Sequence, residues 1–589
     1  MSPPGAGGRM SRSRFGVTFE RNLSVPMRDG TLLYCDVYLP SGGGRYPVLL
    51  QRTPYNKALP AVTHIGNDPI RFAGAGYAVV IQDTRGRHAS EGDFYAFQYE
   101  VLDGYDTVEW CAAQPWSTGR VGMFGASYVG LTQWLAAISQ PPHLVTIAPG
   151  LTASDCHDGW IYRSGAFELG FSLSWVLTTL ARDTATRSPE EQHLIPQLIA
   201  ELDDLPSAFR CLPLRNQPAV TEAASYYADW LEHPEEDDYW RRWKIEDFHS
   251  QLSLPVFNIG GWYDTFVGGT VQNFVGLRER AASAEARASQ RLLVGPWSHG
   301  NPWLANPVGQ ADFGVFSEST ACDLEGLQLR WFDHWLKDED NGVPDDPPAR
   351  IFVMGTNVWR DEQEWPLART AFREYYFHSD GRANSSSGDG VLNDQPSDDE
   401  PPDSYAYDPR DPVPTLGGGL CCSAVYTQGG AFNQQYVECR PDVLVYTSDP
   451  LEHDLEVTGP VAVTLWASTS GRDTDWTAKL VDVAPDGFAR NLTDGIVRAR
   501  YRDSPMVASL TTPGEICRYR IDLPPTSNVF RTGHRIRVDI SSSNFPRFDR
   551  NLNTGAEQAT SAAMEVALQR VFHERQYPSH VVLPIIGTP

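Results

Sequence analysis

Residues 121–131 read V-G-M-F-G-A-S-Y-V-G-L, and this stretch decides the fold. An apolar run gives way to the small residues Gly125 and Ala126 and then to Ser127, after which residues 128–139 show the apolar spacing of a helix. A strand, a tight turn and a helix in this order lift a serine hydroxyl above a sheet. The turn also directs the first N–H of the helix and the positive end of its dipole towards the same point. The pattern therefore predicts a nucleophilic serine.

The spacing of the glycines around this serine differs from the usual G-x-S-x-G form. Val129 occupies the expected glycine position, and the glycine is delayed to Gly130. A serine between glycines also arises by chance in a chain with 50 glycines, so an ordinary strand-to-helix loop is the alternative interpretation. Catalysis requires a histidine base and an acid as well, which follow the serine in the chain order Ser, Asp or Glu, His.

Two downstream residues satisfy this order. Asp264 follows the apolar run P-V-F-N-I-G-G at 255–261, and His299 follows the run L-L-V-G at 292–295. Open α/β sheets place active residues in loops beyond the carboxyl ends of their strands. Taken singly, the aspartate could stabilise a turn. The histidine is one of 14 in the chain and, taken singly, could be an ordinary loop residue. Together they predict the catalytic triad Ser127, Asp264 and His299.

Seven short motifs along the chain carry a resemblance to a known family. They are V-P-M-R-D-G (25–30), T-P-Y-N-K (53–57), V-V-I-Q-D-T-R-G (79–86), G-A-S-Y-V-G (125–130), G-W-Y-D (261–264), G-P-W-S-H (295–299) and S-S-S-N-F-P (541–546). With them the chain resembles the cocaine esterase (CocE/NonD) family of serine hydrolases, nearly end to end. The superfamily includes Xaa-Pro dipeptidyl peptidases and α-amino acid ester hydrolases. The resemblance implies an α/β fold class, with an α/β-hydrolase domain, an inserted helical cap and a C-terminal β jelly-roll domain.

The resemblance also implies a role for each residue of the catalytic centre. Ser127 is the nucleophile, His299 the general base and then the general acid, and Asp264 the group that orients the imidazole. The oxyanion hole combines the backbone N–H of Tyr128 with the hydroxyl of Tyr55, which suits a neutral phenol donor. Without the resemblance, Tyr55 reads as a partly buried aromatic residue of a loop. No metal or organic cofactor is expected.

An acyl pocket is implied in the same way, walled by Trp160, Trp175, Phe266, Cys421 and Cys422. Core packing is the alternative interpretation for each of these residues. A relative within the family carries a leucine and a phenylalanine at the cysteine pair. Two cysteines therefore predict a larger and softer pocket, so benzoyl specificity does not follow from the resemblance.

Three interpretations of the function differ in the molecule that the protein cleaves or binds. A carboxylic ester hydrolase leads, and an amide hydrolase of the Xaa-Pro dipeptidyl peptidase or acylase type is second. Both amino esters and free peptide N-termini call for a carboxylate that binds an ammonium group, whereas Thr265, Phe266 and Val267 follow the catalytic acid. Glu168 is the candidate for such a carboxylate, with a structural helix residue as the alternative. The third interpretation is a non-catalytic protein whose jelly roll binds a ligand.

Composition restricts the partners and the compartment. The chain has 589 residues and a formal net charge of −26, which argues against nucleic acid and anionic membrane surfaces as partners. Its nine cysteines are odd in number and lack C-x-x-C spacing, so they indicate neither a disulfide framework nor a zinc site. No signal-peptide core and no run of about 18 apolar residues is found. We expect a cytoplasmic enzyme with a small-molecule ester substrate, and a homodimer is the assembly considered.

The order of strand and helix patterns predicts how the chain is divided. A capping box at 188–191 (S-P-E-E) predicts a helix start inside the cap, where Pro196 would introduce a kink. Pro and Asp at 345–348 indicate a boundary, after which short β-rich runs alternate with turns. The predicted segments are the first part of the α/β-hydrolase domain at 1–152, the helical cap at 153–249, the second part of the hydrolase domain at 250–345, and the jelly-roll β-sandwich at 346–589.

Overall fold

The computed structural model describes residues 15–60, 67–299, 305–422 and 428–587. The first strands are β1 (Val17–Pro26), β2 (Leu32–Pro40), β3 (Tyr46–Thr53), β4 (Ala78–Asp83), β5 (Ser117–Ala126) and β6 (Leu144–Gly150). A hairpin follows, made of β7 (Tyr162–Arg163) and β8 (Ala166–Phe167). Further along the chain come β9 (Phe257–Tyr263), β10 (Arg291–Ser298), β11 (Ala349–Val353) and β12 (Val358–Glu362).

Ten of these strands form one sheet, in the order β1-β2-β4-β3-β5-β6-β9-β10-β11-β12. They run parallel except for β2 and β12. Strands β4, β9 and β10 are buried along their whole length, as is typical of parallel strands covered on both faces. Strands β11 and β12 lie beyond the boundary predicted at residue 345. The sheet continues past that point because β11 pairs in parallel with β10.

Helices cover this sheet and build the cap. In chain order they are α1 (Pro69–Gly74), α2 (Glu100–Ala113), α3 (Tyr128–Ile138), α4 (Leu169–Trp175), α5 (Ala181–Arg187), α6 (Ile195–Asp203), α7 (Leu205–Arg210), α8 (Pro218–Ala223), α9 (Ser225–Glu232), α10 (Asp238–Arg241), α11 (Val267–Arg280), α12 (Ala284–Ala288), α13 (Leu324–Lys337) and α14 (Gln435–Glu438). A π-helical turn, Val176–Leu180, joins α4 to α5. Within the described ranges, none of the helices is long and apolar enough to cross a membrane.

The two faces of the ten-stranded sheet pack against different helices. On one face, Val48 and Leu50 of β3 share a core with Trp134 of α3. On the other, Leu49 shares a core with Phe332 of α13. Successive side chains along a strand point to opposite faces, so a single strand serves both cores. The result is a three-layer α/β-hydrolase fold, as the resemblance implied.

The cap lies between β6 and β9 and contains α4 to α10. The helix start predicted at 188–191 is wrong, because α5 ends at Arg187 and the next α-helix begins at Ile195. Pro196 lies in the first turn of α6, where its missing N–H leaves no helical hydrogen bond unmade. A helix that started at residue 189 would have placed this proline in its interior.

The C-terminal region is built from β-strands, as expected for a jelly roll. They are β13 (Thr370–His378), β14 (Val391–Asn393), β15 (Asp403–Tyr407), β16 (Leu444–Thr447), β17 (Leu455–Thr469), β18 (Asp475–Val483), β19 (Ala489–Arg498), β20 (Cys517–Phe530), β21 (Arg535–Ser541), β22 (Ala567–Phe572) and β23 (His580–Ile586). Pairing follows the order β15-β22-β17-β23-β13-β14-β16-β21-β18-β19, with β20 on β17. Their inward side chains, such as Val457, Trp476, Ile521 and Val538, form one apolar core.

Candidate active site

Ser127 lies in a sharp turn between β5 and α3. Its backbone φ of 63° falls in the left-handed region, which non-glycine residues adopt at a cost of about 1–3 kcal/mol. Gly125 makes the turn possible, because a Cβ there would come within 2.3 Å of the Val129 side chain. A Cβ on Gly130 would lie 2.8 Å from the carbonyl oxygen of Gly150 in β6. The delayed glycine is therefore the position at which α3 packs against the neighbouring strand.

Asp264 and His299 each follow the last residue of a strand, β9 and β10 respectively. These strands are parallel neighbours, so their carboxyl ends bring the two side chains together. His299 Nδ1 donates to Asp264 Oδ2 at 2.5 Å, and His299 Nε2 lies 2.9 Å from Ser127 Oγ. The other carboxylate oxygen of Asp264 accepts the backbone N–H of Phe266 at 2.7 Å. Neither the histidine nor the aspartate side chain is exposed.

The two predicted oxyanion donors lie beside the serine. Tyr128 is the first residue of α3, so its N–H belongs to the first-turn donors that have no acceptor within a helix. Tyr55 follows β3, and its hydroxyl oxygen accepts the indole N–H of Trp175 at 3.0 Å. Burial raises the pKa of the Tyr55 hydroxyl above its ordinary value, although hydrogen bonds with Trp175 and Ser127 oppose that shift. The phenol therefore stays protonated, as a hydrogen-bond donor to an oxyanion must.

The side chain of Tyr128 anchors the turn from behind. Its hydroxyl donates to Glu100 at 3.1 Å and accepts the backbone N–H of Phe97 at 2.9 Å. Glu100 also pairs with Arg52 at 2.7 Å, and both members of this ion pair are buried. The burial of Glu100 raises the pKa of its carboxyl, against the opposing effect of Arg52. These hydrogen bonds and the ion pair hold the start of α3 in one position.

Aromatic side chains enclose the space next to the triad. Phe266 meets the His299 ring edge-on at 5.1 Å and packs against Trp160 at 4.4 Å between ring centroids. Phe171 stacks on Trp175 at 5.6 Å and contacts Phe266 at 5.7 Å. The structure thus brings the three predicted aromatic residues together and adds Phe171. Its position four residues before Trp175, on one face of α4, is the signal that could have identified it.

The cysteine pair also lies at this site, in a different chemical state from the one expected. The backbone of Cys421 forms a parallel β-bridge with His299, and Cys421 is joined to Cys422 by a disulfide. The cysteine spacing indicated no disulfide framework, and it gave no sign of this single disulfide between adjacent residues. Adjacent cysteines need no distant partner, so a search for spaced cysteine pairs does not detect them. Next to His299 the chain therefore carries a closed disulfide ring, not two separate thiols.

Glu168 is buried and is shared by two arginines. Its carboxylate accepts from Arg163 Nε at 3.1 Å and lies 3.7 Å from Arg547 Nε. Arg163 donates in addition to the carbonyl oxygen of Thr265, next to the catalytic acid. The negative charge of Glu168 is therefore compensated within the protein.

The arrangement is suited to nucleophilic catalysis. An imidazole held by a carboxylate can take the serine proton and return it to a leaving group, while two donors face the developing oxyanion. In the part of the chain that the structure describes, no group of three or more His, Cys, Asp or Glu side chains is placed to hold a metal ion.

Comparisons with known proteins agree with this architecture. Residues 29–301 match the X-Pro dipeptidyl-peptidase (S15) family, and residues 341–582 match the X-Pro dipeptidyl-peptidase C-terminal non-catalytic domain. The chain is 41% identical to the cocaine esterase of Rhodococcus sp. (strain MB1 Bresler) over 575 residues, which cover 96% of this chain and 98% of the relative.

Solved structures resemble the whole chain as well. An aminopeptidase from the marine sediment archaeon Thaumarchaeota archaeon superposes with a TM-score of 0.80 at 26% identity, covering 100% of this chain and 99% of the other. An α-amino acid ester hydrolase superposes with a TM-score of 0.80 at 25% identity, covering 99% of each chain. The chain therefore belongs to the cocaine esterase-like CocE/NonD family of serine hydrolases.

Proposed function

We propose that this carboxylic ester hydrolase uses Ser127 as nucleophile, His299 as general base and acid, and Asp264 as the group that orients the imidazole. The observation that carries the proposal is the continuous pair of hydrogen bonds, 2.5 Å from Asp264 to His299 and 2.9 Å from His299 to Ser127. A carboxylate only accepts hydrogen bonds, so His299 bears its proton on Nδ1 and offers a lone pair to the serine hydroxyl.

Hydrolysis then proceeds in two halves. Ser127 attacks the ester carbonyl as His299 takes its proton, and the tetrahedral oxyanion is held by the Tyr55 hydroxyl and the Tyr128 N–H. The alcohol leaves with the proton from His299, which produces an acyl-enzyme. A water molecule, deprotonated by the same imidazole, attacks the acyl group and releases the acid and the free serine.

The substitution Tyr55→Phe tests the oxyanion role of the phenol. It removes one hydroxyl and keeps the ring, so the pocket shape is retained. We expect kcat for p-nitrophenyl butyrate to fall on the order of 10²-fold or more, with a smaller change in KM, because the donor acts on charge that develops in the transition state. Steady-state kinetics measure both constants.

Tyr226→Phe is the matched control for this substitution. Tyr226 is a buried cap tyrosine whose hydroxyl has no hydrogen-bond partner among the described residues. We expect this control to retain near wild-type kcat. Equal losses in the two variants would assign Tyr55 a packing role in place of an oxyanion role.

We propose further that the acyl group of the substrate is uncharged. The wall formed by Trp160, Trp175 and Phe266 is apolar, and a buried ammonium requires a partner of opposite charge. Glu168, the candidate for that partner, already faces Arg163 and Arg547. These two arginines compensate the charge of this carboxylate, so an α-amino group would meet no unpaired negative charge there.

A pair of substrates that differ by one amino group tests this proposal. We expect p-nitrophenyl butyrate to be cleaved with a kcat/KM at least roughly tenfold above that of p-nitrophenyl L-2-aminobutyrate, after subtraction of spontaneous hydrolysis, because an unpaired charge is costly to bury. A series from acetyl to benzoyl esters measures the size of the pocket. Preference for the amino ester, or rapid cleavage of an Xaa-Pro p-nitroanilide, would favour a peptidase-like function instead.

Two further proposals concern the compartment of the enzyme and its substrate. We propose a cytoplasmic location and a small-molecule ester as substrate. The location is supported by seven cysteines that remain free thiols in the described ranges: Cys35, Cys111, Cys156, Cys211, Cys322, Cys439 and Cys517.

A further inference from the structure

We propose that Trp175 is a positioning residue for catalysis, whose indole N–H fixes the direction in which the Tyr55 hydroxyl donates its proton. The two side chains are joined by the 3.0 Å hydrogen bond from Trp175 Nε1 to Tyr55 Oη. The inference rests on the proposed function, since it assumes that Tyr55 serves the oxyanion. It gives Trp175 a second role, in addition to lining the acyl pocket.

The argument begins with the direction of the hydrogen bonds. An indole N–H can only donate, and a carboxylate can only accept. Trp175 therefore donates to Tyr55, and at the opposite end Asp264 accepts from His299. Between them, Ser127 donates its proton to the unprotonated nitrogen of His299. The indole N–H occupies one side of the Tyr55 oxygen, so the phenolic proton is directed away from Trp175.

This direction matters because a phenol has one proton and can rotate it. With the indole N–H on its oxygen, the proton of Tyr55 points away from Trp175 and into the space where the ester carbonyl is attacked. Hydrogen bonds that share an oxygen in this way polarise one another, which strengthens the donor that faces the oxyanion. Without Trp175, the hydroxyl would have to be reoriented during each turnover.

The indole itself is held rigidly. Its ring is stacked on Trp230 at 6.1 Å with 2° between the planes, and on Phe171 at 5.6 Å with 11° between them. Phe97 lies at 6.4 Å and 26°. Trp175 is also the last residue of α4, so its backbone is fixed by the helix. Because the ring is packed in this way, its N–H group can point in only one direction.

A buried arginine fixes the two elements relative to each other. Arg87 donates to the carbonyl oxygen of Pro54, the residue before Tyr55, at 2.9 Å. It also donates to the carbonyl oxygens of Thr179 and Leu180, in the turn after Trp175, at 2.7 and 2.9 Å. The same side chain thus holds the tyrosine loop and the tryptophan helix, which maintains the distance between indole and phenol.

The substitution Trp175→Phe removes the N–H and keeps an aromatic ring. We expect kcat for p-nitrophenyl butyrate to fall about tenfold, the kinetic equivalent of one hydrogen bond to a group that carries developing charge, with KM changed less than about threefold. Trp134→Phe is the matched control. This buried indole of α3 has no hydrogen-bond partner for its N–H among the described residues and does not contact the Trp175 ring, so its loss should leave kcat nearly unchanged.

The double variant Tyr55→Phe/Trp175→Phe separates positioning from packing. If Trp175 acts through the Tyr55 hydroxyl, its replacement costs nothing further once that hydroxyl is gone, so the double variant should have the kcat of Tyr55→Phe alone. Losses that multiply in the double variant would overturn the proposal, as would equal kcat losses in Trp175→Phe and Trp134→Phe.

If Trp175→Phe does not fold, an isosteric replacement of the indole tests the same proposal. Site-specific incorporation of 3-benzothienylalanine replaces the indole N–H by sulfur with almost no change in shape. The same tenfold loss in kcat is expected, and wild-type kcat would overturn the proposal. In either experiment, Ser127→Ala is measured in parallel. Loss of its activity supports the proposed function whatever the result for Trp175.

Discussion

Ser127→Ala should lower kcat for p-nitrophenyl butyrate by about 10⁶-fold, which is the largest effect expected of any single substitution in this chain. The reason is that the variant retains the oxyanion donors and the pocket but has no group to form the acyl-enzyme. Binding of the ester should change little, because the hydroxyl contributes mainly to the reaction. Active-site labelling by a fluorophosphonate should disappear together with the turnover.

Ser172→Ala provides a control of the same chemical size. This buried serine of α4 has no hydrogen-bond partner for its hydroxyl among the described residues, so its removal should leave both the fold and the kcat intact. Retention of substantial turnover by Ser127→Ala, at a thermal stability like that of the wild type, would exclude Ser127 as the nucleophile.

Asp264→Asn should cost about 10⁴-fold in kcat, although it changes a single atom. One oxygen of the new amide can still accept the N–H of Phe266, so the loop is retained. Its NH₂ group, however, would face His299 Nδ1, where the carboxylate now accepts a hydrogen bond. The imidazole must then carry its proton on Nε2, which prevents it from accepting the proton of Ser127.

This tautomer effect has a recognisable signature. The rate of fluorophosphonate labelling should fall in parallel with kcat, because both depend on the activated serine. Thermal stability should remain close to that of the wild type. A loss of less than about tenfold in kcat, with unchanged labelling, would mean that a different acid orients His299.

Local sequence patterns predicted the elements around the site closely. The strand-turn-helix at residues 121–139 corresponds to β5 and α3, with Ser127 between them. The apolar runs before Asp264 and His299 are β9 and β10, each of which ends at the residue before its site residue. Such patterns are informative because a buried parallel strand is apolar along most of its length, and the residue that follows it is confined to one edge of the sheet.

Three features of the cap and the site were not predicted, because neither residue spacing nor periodicity reports them. The helix start in the cap was placed at a capping box, whereas Pro196 at the start of α6 determines it. The disulfide of Cys421 and Cys422 depends on side-chain geometry that spacing does not report. The hydrogen bond from Trp175 to Tyr55 joins residues 120 positions apart, which no periodicity relates.

The β-bridge between His299 and Cys421 means that the base of the triad belongs to two folding units at once. The cap is joined to the same site through Arg163, which donates to the carbonyl oxygen of Thr265. Heat inactivation should therefore begin when either of these two contacts opens, because both hold residues next to the catalytic centre. To lengthen the working life of the enzyme, substitutions should be placed along these two contacts.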